Sequence, residues 1–184
     1  MLSVVTAVAT EPLTLAEVKD YLRLGGTGET VADEDDDLLG RLITAAREKA
    51  EASLRIFFAA ATYDYVAHTQ ASLIRLGRIG IDSIASVTLH ADEGDATLSA
   101  GDWVERLKLD PPEIELKSNG DHYAVTVRFV TATWAIPQVV KLAMCYLIHH
   151  WYENREAWIS TGAVPQTQPE SYARIIHHYK RHRL

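Results

Sequence analysis

Residues 36–68 read DDLLGRLITAAREKAEASLRIFFAAATYDYVAH, and the hydrophobic period changes inside them. Leu38, Leu39, Leu42, Ile43, Ala46, Ala50, Leu54 and Phe57 recur at helical spacing. Arg41, Arg47, Glu48, Lys49 and Glu51 populate the other side. Asp35, Asp36 or Asp37 can cap this helix, because carboxylates favour the positive N-terminal end. The spacing predicts a helix over residues 36–58. From Thr62 to Ala67 the pattern alternates around Tyr63 and Tyr65, which is the period of a strand.

Downstream, residues 73–76, 84–89, 113–116 and 124–130 read as further short strands. Asp92-Glu93-Gly94-Asp95, Asp110-Pro111-Pro112 and Ser118-Asn119-Gly120-Asp121 punctuate them as turns. Val125, Val127 and Phe129 point one way, Thr126 and Arg128 the other. Pro137 suits the first turn of another helix, expected over 137–158, whose stretch from Val139 to Trp151 is apolar on nearly every side. Such a helix is buried between other elements or in a subunit interface. Upstream, Thr14-Leu15-Ala16-Glu17 reads as a capping box opening a helix over 14–24, ended by Gly25-Gly26.

Gly162 and Pro165 break the chain, and Pro169-Glu170 begins a last short helix through Tyr172, Ile175, Ile176 and Tyr179. A helix this short is marginal alone and wants a partner surface. The expected fold class is α+β, mainly α: a helical bundle of about four helices with an antiparallel β module, residues 62–131, inserted between the second and third. Residues 1–162 would form a core and 163–184 a C-terminal docking segment with a short basic helix.

A chain of 184 residues, 47% hydrophobic and 23% charged, can bury a core without staples. Its single Cys145 forms no internal disulfide and fits a reducing compartment. Met1–Thr10 lacks the basic start of a secretory signal, and no stretch is long and apolar enough to span a bilayer, so a soluble protein is expected. Charge is uneven. Six acids and no base lie between Glu29 and Asp37, whereas Arg174, Lys180, Arg181 and Arg183 with three His and no acid fill the last eleven positions. The body is thus more acidic than the net −7 of the whole chain, which disfavours coating of nucleic acid. A basic tail on an acidic body suits an acidic partner.

Chemistry is sparse. His178 and His182 sit four apart with no third ligand near them in sequence. His149-His150 with Glu153 has the wrong order for a zinc protease. Gly25-Gly26-Thr27-Gly28 follows a helix, lacks a Lys-Ser/Thr, and opens into acids that would repel phosphate. Cys145 reads as a small buried thiol. No enzyme activity, cofactor or metal is expected. Trp134, Trp151 and Trp158 with Tyr146 and Tyr152 interleave with aliphatics, which favours core or subunit interface over base stacking.

Three stretches carry a resemblance. They are Leu13-Thr14-Leu15-Ala16-Glu17-Val18-Lys19-Asp20-Tyr21-Leu22-Arg23; Asp36-Asp37-Leu38-Leu39 through Ala45-Ala46-Arg47-Glu48-Lys49-Ala50-Glu51; and Ile136-Pro137 through Leu142-Ala143 to His150-Trp151-Tyr152-Glu153-Asn154-Arg155-Glu156-Ala157. Together they resemble the head–tail connector (adaptor, or head-completion) proteins of long-tailed phages and of phage-like particles such as gene transfer agents. The resemblance implies a virion neck protein assembled in the host cytoplasm, a ring of copies beneath the portal. By family resemblance the ring is dodecameric, extends the DNA channel and joins the head to a stopper or other tail-side neck protein. DNA would pass without sequence-specific binding, and no membrane is involved. Tyr172, Arg174, Ile175, Ile176, Tyr179, Lys180, Arg181 and Arg183 would bind the portal. Trp151, Tyr152, Arg155 and Trp158 would serve the subunit interface. The alternative is a DNA-binding packaging accessory protein that uses the basic C-terminal tail.

Overall fold

The computed structural model describes residues 1–24, 35–117, 122–154 and 168–180. The chain divides into two units, residues 1–10 with 55–134 and residues 11–54 with 135–184. The first is all β. Five strands run antiparallel in the order β1-β2-β8-β4-β5: β1 (Leu2–Thr6), β2 (Thr62–Ala67), β8 (Ala124–Thr131), β4 (Ile81–Ala91) and β5 (Gly94–Thr97). A second antiparallel sheet has the order β3-β7-β6: β3 (Leu73–Arg75), β7 (Glu113–Leu116) and β6 (Trp103–Arg106).

One apolar core serves both sheets. Tyr63, Val87, Leu89, Val125, Val127 and Phe129 come from the larger sheet, and Ile74, Ile114 and Leu116 from the smaller. Phe57, three residues past the last helical residue, joins them. Its ring centroid lies 4.7 Å from Tyr63 and 5.6 Å from Phe129, and the Arg78 guanidinium sits 5.2 Å from its face. Its amide donates to the Ile79 carbonyl at 2.9 Å, while the Ile79 amide donates to Arg55 at 3.0 Å. That exchange brings Gly80 so close that a Cβ there would lie 2.8 Å from the Phe57 carbonyl oxygen, at a φ of +93°. At the end of β8, the buried Thr131 hydroxyl donates to the Ala59 carbonyl at 2.7 Å and accepts from the Ala61 amide at 3.0 Å.

The second unit is helical: α1 (Leu15–Leu22), α2 (Asp36–Leu54), α3 (Gln138–Glu153) and α4 (Glu170–Tyr179). The Thr14–Glu17 capping box forms as its spacing predicts, with the Thr14 amide donating to Glu17 at 2.7 Å. Val18, Leu39, Ile43, Ala46, Ala50, Val140, Ala143, Met144, Leu147 and Ile148 are buried. Two charges are buried with them. Arg47 is 4% exposed and Glu51 2%, although the helical wheel put both on the solvent side. Arg47 donates to Glu51 at 3.0 Å and to Glu11 at 2.8 Å, and the Thr44 hydroxyl donates to the other Glu11 oxygen at 3.0 Å. The wheel missed this because Glu11 arrives from far upstream and makes the burial affordable. No helix among the described residues is long and apolar enough to cross a membrane.

The expected fold class needs correction. Helix covers 35% of the described residues and strand 31%, so the protein is mixed, not a mainly helical bundle carrying a β insert. The reason is eight strands where five were legible. β1 lies outside the expected 62–131 module and exists through pairing with β2 across some sixty residues, Leu2 opposite Tyr65 and Val4 opposite Tyr63. β5 falls where a turn was read, and β6 is equally short and mostly exposed, with no apolar alternation to announce it. Helix ends moved too. α1 stops at Leu22 because Arg23 itself takes the left-handed cap at φ 55°, and α2 stops at Leu54 because Arg55 does the same at φ 58°. The glycines expected to end α1 lie outside the described residues.

Two outcomes check this packing. Gly77 (φ +77°) has open space around a Cβ, so Gly77→Ala should cost about 1 to 2 kcal/mol for the left-handed backbone alone. Gly80→Ala should cost a further ~1–3 kcal/mol, because the Phe57 backbone must shift. Urea unfolding of the two variants measures the difference. The second outcome concerns acid. Arg128 donates twice to Asp64 at 2.8 Å and holds its carboxyl below the ordinary range. A lowered native pKa gives stability that is present above the unfolded value and disappears as pH falls through the native one. Asp64→Asn should therefore lose less stability than the parent between neutral and acid pH in thermal melts.

Candidate protein–protein interface

α4 begins at Pro169 and carries an Arg174–Glu170 pair one turn apart, the guanidinium reaching the carboxylate at 2.6 Å. Its inner face holds Tyr172 at 1% exposure and Ile176 at 5%, and the helix packs on α2 and α3. The partner surface that so short a helix needs is supplied within its own unit. Of the helix's apolar stripe, Tyr172 and Ile176 are core, because α4 packs on both α2 and α3. What α4 presents outward is Glu170, Ser171, Arg174, His177, His178, Tyr179 and Lys180, with Arg174 paired to Glu170 and Ile175 half-buried. Arg181 and Arg183 lie outside the described residues.

Burial pushes the Tyr172 phenol up. Its hydroxyl has no hydrogen-bond partner in good geometry among the described residues, since the neighbouring Ser53 turns its own hydroxyl to the Lys49 carbonyl at 2.8 Å. Cys145 is buried, and that burial raises its thiol.

The aromatic zone read near the third helix is divided. Trp134 belongs to the β unit, where its amide donates to Phe58 at 3.0 Å and its side chain is 46% exposed. Trp151 and Tyr152 are half-buried on α3, and the Tyr152 hydroxyl donates to Asp35 at 2.6 Å. That bond pins the C-terminal end of α3 to the entry of α2. Arg155 and Trp158 lie outside the described residues.

Two further surfaces stand out, the first on the helix whose all-round apolarity pointed to burial or a subunit interface. On α3, Val139 and Leu142 are 44% and 39% exposed, one turn apart, with Tyr146 following half-buried edge-on to Tyr21. The signal was the excess apolarity of this helix, more than one buried face needs. On α2, Asp36, Asp37, Gly40, Arg41, Thr44, Ala45 and Glu48 form a shallow, open face of that one helix. Its one glycine has nothing within 4 Å of a Cβ position. Among the described residues no group of three His, Cys, Asp or Glu is placed to hold a metal ion.

No family model matches the chain, and no curated protein does. Solved structures do. The chain is similar to one in a structure described as the neck of an empty GTA particle computed with C6 symmetry, at a TM-score of 0.74 and 20% identity. A second likeness, at 0.72 and 22%, is to a chain in the virion of a native gene transfer agent (GTA) particle. A third, at 0.70 and 20%, is to one in the neck of the native GTA particle computed with C12 symmetry. Each covers 100% of this chain and 97% of the other. The fold described above, both units included, is therefore the fold of those chains.

If α4 is core, Tyr172→Ala should destabilise the protein by about 3–5 kcal/mol. Tyr172→Phe should be neutral or stabilising, since it removes a buried hydroxyl that gains little here. Denaturant midpoints of the two variants check this directly.

Proposed function

We propose that the chain is a structural neck protein of a phage-like particle, a non-enzymatic adaptor that closes into a ring beneath the portal. The observation that carries this reading is the end-to-end likeness to chains in particle necks solved with sixfold and twelvefold symmetry. Twelve copies are the expected number, in the virion neck between capsid and tail. The ring would extend the DNA channel and hand it on to a stopper or other tail-side component. The net charge of −7 favours passage of DNA over capture, because fixed phosphate contacts would hold it back.

Docking to the portal falls to the C-terminal end. Tyr172 and Ile176 act from inside, anchoring α4 on its own unit so that the segment after it leaves from a fixed point. Arg174, Ile175, Tyr179 and Lys180 form the outward face, and Arg181 and Arg183 continue it in sequence. Their charge would meet acidic groups on the portal. Trp151 and Tyr152, with Arg155 and Trp158 beyond them, are the proposed subunit contact.

Electron microscopy of the purified chain, alone and with the portal of the same particle, should show closed rings; only monomers in both would overturn the reading. Arg174→Glu with Lys180→Glu, both exposed, should leave the fold intact and weaken portal binding by about tenfold, more at low salt. Binding unchanged in a salt titration would remove α4 from the portal contact.

A further inference from the structure

Across the larger sheet, β5, β4 and β8 bring three side chains into one chain of hydrogen bonds. Asp95 stands opposite His90 in the register, and Thr126 stands opposite Thr88, two residues before His90 on β4. The His90 Nδ1 meets the Asp95 carboxylate at 2.7 Å, and its Nε2 meets the Thr126 hydroxyl at 2.7 Å. We propose that Thr126 is an acyl-acceptor site, a nucleophilic hydroxyl served by His90 and Asp95 that takes the acyl group of small reactive esters and thioesters. The site is separate from the neck role and does not depend on it.

The pleat puts these groups on one face. Val87 and Leu89 of β4 and Val125 and Val127 of β8 turn into the core, so Thr88, His90 and Thr126 turn to the other side. Two strands of an ordered sheet hold the nucleophile and the base, while access stays open: the His90 side chain is 24% exposed and Thr126 is half-buried. The partners set the tautomer. An ionised carboxylate only accepts, so the Nδ1 beside Asp95 carries the ring proton. In the neutral ring Nε2 then accepts, and the Thr126 hydroxyl donates to it. That is the arrangement in which an imidazole removes the proton of an attacking oxygen. The Asp95 side chain is 61% exposed, so solvent screens its charge and its contribution is the tautomer.

The step balances with these groups alone. The Thr126 Oγ bonds to the carbonyl carbon of the donor while its proton passes to His90 Nε2. The carbonyl oxygen becomes an oxyanion. Thr88 stands directly across the ladder from Thr126, a relation that sets two Cβ atoms about 5 Å apart, so its hydroxyl is within reach of that oxygen. The Thr88 hydroxyl is also 3.3 Å from that of Thr97, and with Thr97 donating, the Thr88 proton is free for the oxyanion. On collapse the bond from carbon to the leaving oxygen or sulfur breaks, and the proton on Nε2 passes to that atom. The products are an ester on Thr126 and a free alcohol or thiol, with no oxidant, reductant or cofactor consumed.

The test treats the full chain with p-nitrophenyl acetate at neutral pH, quenches in acid, and locates acetyl groups by peptide mass spectrometry. Alkaline hydroxylamine then separates esters, which it cleaves, from the amides that lysines and the N-terminus form. Thr126 should carry a hydroxylamine-labile acetyl group. Its rate of appearance should fall about a hundredfold in His90→Gln, the low end for loss of a positioned base. Thr126→Ser should keep the reaction and Thr126→Val should abolish it. Asp95→Asn, at an exposed position, should slow labelling, and ring-nitrogen NMR shifts of His90 should show the proton fixed on Nδ1 in the parent and shared between the two nitrogens in this variant. Circular dichroism of each variant checks that the sheet is intact.

Acetyl groups on amines alone would overturn the site and leave His90 as a staple between β4, β5 and β8. An ester on Thr126 that forms as fast in a folded His90→Gln chain would overturn the relay. A His90 proton found on Nε2 in the parent would remove the tautomer on which activation depends. Ring formation and portal binding are measured apart from all of these and bear on the proposed function alone.

Discussion

Phe57 buries its ring between Tyr63 and Phe129, and the β unit is organised by that contact. The residue stands where the helical period ends, so the first apolar side chain after α2 becomes a seed for a different kind of structure. Its backbone fixes Ile79 through a short parallel bridge, which sets the place of Gly80 and the entry to β4. β4 then pairs with β8, and β8 with β2, so the three central strands of the larger sheet follow from one aromatic anchor. The smaller sheet adds Ile74, Ile114 and Leu116 to the same core and keeps its charges as cross-strand pairs, Arg75 with Glu113 and Arg106 with Glu115.

The helical unit is organised by a different constraint. A buried guanidinium must be satisfied, and Arg47 meets Glu51 one turn on, Glu48 beside it and Glu11 from the preceding connection. Such a cluster adds little net stability over an apolar one but tolerates few alternatives, so it specifies how the segment at Glu11 meets α2. α4 completes the unit with Tyr172 and Ile176. A terminus that contributes core residues is held at its root, and basic residues displayed from it have a defined origin instead of a free tether.

These constraints bear on assembly. A chain that is to be covered by copies and partners keeps apolar and charged surface that its own core does not use. Val139 and Leu142 on α3, the open face of α2 around Gly40, and the outward side of α4 meet that description in the helical unit. The β unit places paired polar groups on its larger sheet, Asp64 with Arg128 and His90 with Asp95 and Thr126, and also exposes Val4, Val5 and Trp134.

Much of this was legible in the residues themselves. The capping box at Thr14, the row from Leu39 to Leu54, the alternation at Val125, Val127 and Phe129, and the burial of Cys145 follow from period and cap chemistry, which act over a few neighbouring positions. The resemblance to neck connectors was carried by such local stretches too. Other features were decided by residues distant in the chain. β1 needs Tyr63 and Tyr65 opposite it, the burial of Arg47 needs Glu11, and the home of Tyr172 needs the slot offered by α2 and α3. The balance between helix and strand turned on three short, mostly exposed strands whose hydrogen bonds come from partners and not from their own side chains. Periodicity reports which face of an element is apolar. It does not report what covers that face, and only the tertiary structure separated the stripe that α4 buries from the one that α3 leaves open.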